Sequence, residues 1–229
     1  MRLTVRTWLG GLTLLVLPLT ALAHNIAGGD AGFVAANSGP AVGPFMYLGA
    51  KHMVTGYDHL LFLAGVIFFL TRASQIFQYV TLFAIGHSIT LIVGVVADIH
   101  ANPYLIDAII ALSVVYKALE NMGGLQKLGR WKPDKRLAVL VFGLFHGFGL
   151  ASSLQELSLS PDGLIINLIS FNIGVELGQI TALLIIIALF AFWRKQPSFS
   201  RHAFLSNAIL MSAGFILLIY QLTAWQLST

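Results

Sequence analysis

Residues 51–62 read KHMVTGYDHLLF and set two histidines and an aspartate at the start of a long apolar segment. An ionisable side chain near the centre of a bilayer costs about 2.5 kcal/mol or more, so each one in a membrane helix needs a partner or a function. Two questions follow. The first is whether this segment crosses a membrane, and the second is what His52, Asp58 and His59 do within it.

The composition answers the first question. The chain has 229 residues, of which 57% are hydrophobic and only 10% are charged. Apolar runs of this length do not fit inside a soluble domain of the same size, so they predict an all-α, polytopic membrane protein. The sequence has no cysteine, which excludes disulfides and thiolate metal sites. The net charge of +4 is modest and concentrated in loops, a distribution that indicates membrane topology and not nucleic-acid binding.

The N-terminal region predicts two further segments. In residues 1–23, Arg2 and Arg6 precede an apolar core that ends in Ala-Leu-Ala, a pattern typical of a cleaved secretory signal peptide; an uncleaved extra span is the alternative. Residues 24–44 are rich in Gly, Ala, Asn and Ser and predict a flexible extracytoplasmic lead. Cleavage would give His24 both an amine and an imidazole, a chelating pair suited to capturing copper or nickel.

Residues 45–229 predict a six-helix transmembrane bundle. At 1.5 Å per residue, most of the apolar segments are long enough for the roughly 30 Å of hydrocarbon in a bilayer. The intervening loops alternate in charge, because Lys and Arg gather in the loops assigned to the inside, whereas the outer loops have none. This predicts the bacterial inner (cytoplasmic) membrane, with both termini periplasmic. The segments are roughly 45–70, 76–96, 103–120, 136–154, 163–193 and 203–225.

The ionisable side chains inside these spans converge in depth. His59, His87, His146 and Glu176 each lie near the middle of a different span. Asn172, Glu176 and Gln179 are spaced i, i+4, i+7, so we expect this stripe to face the bundle interior. Several imidazoles and a carboxylate at one depth have few partners except each other or a cation.

The first span adds two more candidates. His52 is expected about 10.5 Å along the helix axis from His59, a distance that would stretch a single shared ion. We therefore expect His52 at an outer entrance, with Gly56 leaving room between the two imidazoles. Asp58 is expected to be either an adjacent ligand or the acceptor that orients an imidazole through its second nitrogen.

Other features favour structural roles. Lys117 and Glu120 are spaced i, i+3 near a span end and are expected to form an ion pair. Gly143, Gly147 and Ala151 form a face of small residues at four-residue spacing, which predicts close packing against a neighbouring helix. Any single histidine or asparagine in a span is more often an interhelical hydrogen bond than a metal ligand.

Five blocks of the sequence resemble the HupE/UreJ family, membrane accessory proteins associated with hydrogenase and urease systems. The resemblance implies a small multi-span permease with nickel or a related divalent metal as cargo, a possible link to a metalloenzyme maturation system, and metal-handling roles for His52, Asp58, His59, His87, His146 and Glu176. The blocks are HMVTGYDHLLF (52–62), IGHSITL (85–91), YKALEN (116–121), FGLFHGFGLAS (142–152) and FNIGVELGQ (171–179).

Three functions remain open at this point. Nitrogen and oxygen ligands suit Ni, Co or Zn, so the favoured hypothesis is a metal permease or accessory protein that binds a divalent ion at mid-membrane. The same ligands around Zn could build an intramembrane hydrolase, in which Asp58 or Glu176 acts as general base and Ser88 contributes a hydroxyl. The third hypothesis is a structural or assembly role beside a metalloenzyme complex, with the polar groups forming an interhelical network.

Overall fold

The computed structural model describes residues 32, 34, 39–155 and 161–228, and these residues form seven α-helices and one 3-10 helix. The predicted signal peptide and most of the predicted lead lie outside the described residues, although α1 already begins at the end of the lead. The α-helices are α1 (Val42–Thr55), α2 (Tyr57–Ile67), α3 (Ala73–Val96), α4 (Pro103–Asn121), α5 (Lys135–Gln155), α6 (Leu164–Trp193) and α7 (Ser198–Ser228), with the 3-10 helix at Gly124–Trp131.

Four helices, α3, α5, α6 and α7, are long and apolar enough to cross a membrane. The helix α4 has 19 residues but contains Asp107, Lys117 and Glu120, and the first predicted span is divided between α1 and α2. The structure therefore confirms an all-helical protein with membrane-spanning helices. The count of six spans stays a prediction.

The first predicted span breaks at Gly56. This glycine has extended backbone angles (φ −73°, ψ 98°) between two helices. Its N–H donates to the carbonyl of His52 at 2.9 Å, and its own carbonyl accepts from the N–H of Leu60 at 3.1 Å. One residue thus ends α1 and begins α2, while its backbone groups keep hydrogen-bond partners, as a low-dielectric environment requires.

The far end of α2 is held by a cation from another helix. The Arg194 guanidinium, at the end of α6, donates to the carbonyl oxygens of Ile67 and Phe68. The last carbonyls of a helix have no intrahelical donors, and a cation near them also interacts favourably with the helix dipole. Both ends of α2 are therefore fixed by the rest of the bundle.

Glycines bring the helices together in pairs. A Cβ at Gly49 of α1 would overlap the carbonyl of Phe171 in α6, and a Cβ at Gly174 of α6 would overlap that of Met46 in α1. Between α3 and α5, a Cβ at Gly143 or Gly147 would meet backbone atoms of the facing helix. This confirms the predicted small-residue face of α5, since only residues without a side chain allow such an approach.

The predicted ion pair in α4 is also confirmed. Lys117 Nζ lies 2.8 Å from Glu120 Oε2, and Lys135 Nζ, at the start of α5, lies 2.6 Å from the other oxygen, Oε1. Two cations therefore share one buried carboxylate, so neither Lys117 nor Glu120 is left as an uncompensated charge.

The tight α3–α5 contact predicts that alanine substitution at two glycines will have opposite effects on stability. The change Gly147→Ala should destabilise the protein by about 1–3 kcal/mol, the usual cost of overpacking, because the new Cβ would overlap Thr90 Oγ1 and the His87 carbonyl. Gly43→Ala, in α1, meets nothing within 4 Å and should stabilise its helix by about 0.5–1 kcal/mol. Thermal unfolding in detergent measures both; equal effects would contradict the packing.

Candidate metal centre

Four histidines from four helices meet around His59. Its ring centroid lies 5.2 Å from that of His52, 6.2 Å from that of His87 and 4.9 Å from that of His146. The rings of His59 and His146 are fully buried, and His87 is nearly so. The structure thus brings together all four histidines that the sequence placed within predicted spans, and we call this group the histidine cluster.

The position of His52 differs from the expected one. Sequence reasoning placed it at a separate outer entrance because a continuous helix would hold it two turns from His59. The break at Gly56 removes that separation, so the two imidazoles lie edge to face. Gly56 also leaves the space they need, as expected, because a Cβ there would lie 2.8 Å from His59 Nδ1.

Asp58 lies beside its neighbour in the sequence. Its Oδ1 is 3.1 Å from His59 Nδ1, and the carboxylate is buried. A carboxylate at Nδ1 favours a proton on that nitrogen and the ligand lone pair on Nε2, the arrangement common around metal-binding imidazoles. Of the two roles open for Asp58, this geometry matches the orienting one.

The protonated nitrogen of His146 is determined by a hydrogen bond to the backbone of its own helix. Its Nδ1 lies 2.7 Å from the carbonyl oxygen of Phe142, and since a carbonyl can only accept, Nδ1 must carry the proton. The other nitrogen, Nε2, is buried and has no hydrogen-bond partner among the described residues. A buried, lone-pair-bearing nitrogen without a donor is a costly feature in a fold and is available to a cation.

Two phenylalanines form the walls of the histidine cluster. The Phe83 ring centroid lies 4.9 Å from that of His146 and 6.1 Å from that of His87, and Phe62 lies 5.4 Å from His146. Both phenylalanines are fully buried. Sequence reasoning missed these walls and the Phe142 carbonyl, although Phe83 and Phe142 each precede a histidine by four residues, one helical turn away on the same face.

The cluster is not a preformed coordination sphere. Within the described residues, no group of three or more His, Asp or Glu side chains has the arrangement needed to hold a metal ion. The rings of His52, His87 and His146 each lie edge to face with the ring of His59. Side-chain rearrangement would be required before several imidazoles could share an ion.

Glu176 and Ser88 lie elsewhere. Both line a groove between α3 and α6 with a volume of about 590 Å³, and no histidine lines it. The side chain of Glu176 is exposed, so the expected interior position is not met. The reason is the packing of α6: Gly174 and Gly178 form its buried face against α1, and Glu176, two residues from each, lies about 200° around the helix.

Polar side chains in the groove are linked to one another. Ser88 Oγ donates to Asn172 Oδ1 at 3.0 Å, and Asn172 Nδ2 lies 3.5 Å from Glu176 Oε1. Gln179, the third member of the predicted stripe, also lines the groove, although its side chain is buried. The whole stripe therefore faces the groove and not the histidine cluster.

Comparison with known proteins identifies one family. The family model described as HupE / UreJ protein matches residues 29–229. No curated protein and no solved structure matches the chain. The match covers every described helix, including all residues of the histidine cluster and of the groove.

Replacement of the His146 imidazole by an apolar side chain should not destabilise the protein. In His146→Leu the buried Nε2 disappears and an apolar side chain of similar size packs against Phe62 and Phe83. Because an unsatisfied buried polar group costs about 1–3 kcal/mol, we expect the melting temperature to rise or stay constant. His202→Leu, at an exposed position, is the control. A lower melting temperature for His146→Leu alone would mean that the imidazole is structural.

Proposed function

This chain belongs to the HupE/UreJ family, whose members are membrane proteins of the nickel or cobalt accessory or permease type, and we propose that it moves a divalent transition metal across the bacterial cytoplasmic membrane. The observation that carries the proposal is the histidine cluster, three buried imidazoles and the partly buried His52, assembled at a break in a predicted membrane span. Imidazole nitrogens bind Ni, Co and Zn well, and nickel is the cargo we favour.

The break supports this function physically. Discontinuous helices are typical of transporter binding sites, and a break allows the two half-helices to move separately. Here the break at Gly56 lies between His52 and His59. A small change in the angle between α1 and α2 would alter the separation of these two imidazoles, and so their ability to share an ion.

We propose a role in metal binding for each residue of the histidine cluster. We assign His59, His87 and His146 as the principal ligands, with His52 as a fourth that enters or leaves the coordination sphere as α1 moves. Asp58 orients His59 through Nδ1. Glu176 lies in the α3–α6 groove, so we leave it out of this ligand set. The phenylalanine walls exclude water, which strengthens binding of the cargo.

The hydrolase hypothesis has less support. It needs a general base and a hydroxyl beside the metal, yet Glu176 and Ser88, two of its three candidates, line a groove whose lining includes no histidine. Asp58 remains near the cluster but contacts an imidazole. Delivery of the cargo to a metalloenzyme maturation system and the placement of both termini outside are parts of the proposal that follow from the sequence alone.

Transport is tested directly in vesicles. Purified protein should retain Ni²⁺, Co²⁺ or Zn²⁺ in stoichiometric amount, and vesicles with a metal-sensing dye inside should take up that ion. His59→Ala and His146→Ala should reduce uptake to the leak of protein-free vesicles, whereas His202→Ala, at an exposed position, should not. Stoichiometric metal without uptake would favour an accessory protein. No retained metal, with uptake unchanged in both variants, would refute the proposal.

The proposed role of Asp58 predicts a partial loss of metal affinity when its carboxylate is replaced. Asp58→Asn should weaken metal binding by about 10- to 100-fold, the usual effect of losing an orienting carboxylate, because an amide is a poorer acceptor for the Nδ1 proton of His59. Calorimetric titration with Ni²⁺ measures the affinity. Asp98→Asn, at an exposed site outside the cluster, is the control, and equal affinity in both variants would show that Asp58 does not act through His59.

A further inference from the structure

The exposed carboxylate of Glu176 lies among apolar side chains. Its neighbours on α6, Ile173, Leu177 and Ile180, are 43–51% exposed, so this face of the helix is lipid-facing. Glu176 is about 18 Å along the helix from Leu164 and about 26 Å from Trp193. Within the described residues its hydrogen bond is a long one, from Asn172 Nδ2 to Oε1 at 3.5 Å. Acyl chains at this depth offer no hydrogen bonds, so a donor from another molecule would stabilise the carboxylate further.

The groove that holds Glu176 is long enough to contact about three turns of a helix. Its lining runs along α3 from Phe77 to Ile89 and along α6 from Asn172 to Leu183, a length of about 17–18 Å. That length equals about three turns of an α-helix at 5.4 Å per turn. The groove is open at its side, so a transmembrane helix could enter it laterally.

The chain itself presents a helix of matching character. One exposed face of α7 carries four large apolar side chains and one hydroxyl group along its centre. Ser212 lies at the middle of this face and close to the middle of the helix. We call this face the α7 stripe, and its members are Leu205, Ile209, Ser212, Ile216 and Ile219.

The depths of the two polar groups agree. Trp193 Nε1 donates to Ser198 Oγ at 3.2 Å, so α6 ends and α7 begins at the same level. From that level Glu176 is about 26 Å along α6 and Ser212 about 21 Å along α7. Parallel copies in one membrane share these depths, and the remaining difference of about 5 Å is within the reach of a glutamate side chain.

We propose that a second copy of this chain places its α7 stripe in the α3–α6 groove, where its Ser212 hydroxyl donates to Glu176. Ser212 Oγ now donates to the Ala208 carbonyl at 2.9 Å, and a side-chain rotation redirects it without a backbone change. The contact uses two different surfaces of the chain, so it is heterologous and each copy engages two neighbours. The proposal is independent of any metal.

Cross-linking tests this contact in a background without native cysteine. Two differently tagged single-cysteine variants, Ile85→Cys in the groove and Ile209→Cys on the α7 stripe, are co-expressed and oxidised in membranes. In the control pairing, Leu112→Cys replaces Ile85→Cys, because Leu112 is equally exposed but lies on α4. We expect the Ile85→Cys pairing to give at least about five times more mixed disulfide dimer than this control. Equal yields in the two pairings would overturn the proposal.

The hydrogen bond is tested separately, by energy transfer between labelled copies in bilayers. Ser212→Ala should weaken association about threefold, the mean effect of an interhelical hydrogen bond in a membrane. In a Glu176→Leu background the same change should have no effect, because the acceptor is gone. Thr181→Ala, which removes an exposed hydroxyl of α6 bonded to its own helix, is the control. Association that is insensitive to Ser212 in both backgrounds would overturn the proposal and point to another occupant of the groove.

Discussion

The interior of a bilayer supplies no hydrogen bonds, and this constraint governs the structure at Gly56. A break in a membrane helix exposes backbone groups that the protein itself must satisfy. Here the N–H and the carbonyl of Gly56 are both bonded, to His52 and Leu60, and Arg194 donates to the last carbonyls of the shorter half-helix. The histidine cluster depends on this solution, because it is the break that allows His52 and His59 to touch.

The sequence predicted most of the fold for clear physical reasons. Long apolar runs identify membrane helices, and small residues at four-residue spacing identify close helix contacts. The break could not be predicted in the same way. Gly56 is one of many glycines in the chain, and nothing in its neighbours distinguishes a glycine that interrupts a helix from one that packs within it.

The candidate site was predictable to a similar extent. Depth along a helix follows from residue number, so the meeting of His59, His87 and His146 could be expected. The direction of a side chain depends on which face of its helix is buried. For α6 two signals competed, the polar stripe through Glu176 and the glycines at 174 and 178, and the structure shows that backbone approach at the glycines decides the orientation.

The glycine contacts also bear on how the bundle can move. Helices in backbone contact cannot slide or separate without losing dense packing, so α1 with α6 and α3 with α5 behave as two stiff bodies. His87 and His146 belong to one body, His52 belongs to the other, and His59 is carried by the short α2. Motion between the two bodies therefore changes the distance from His52 to His87 and His146, while the His87–His146 distance stays constant. The arrangement of the histidine cluster is thus coupled to the conformation of the bundle.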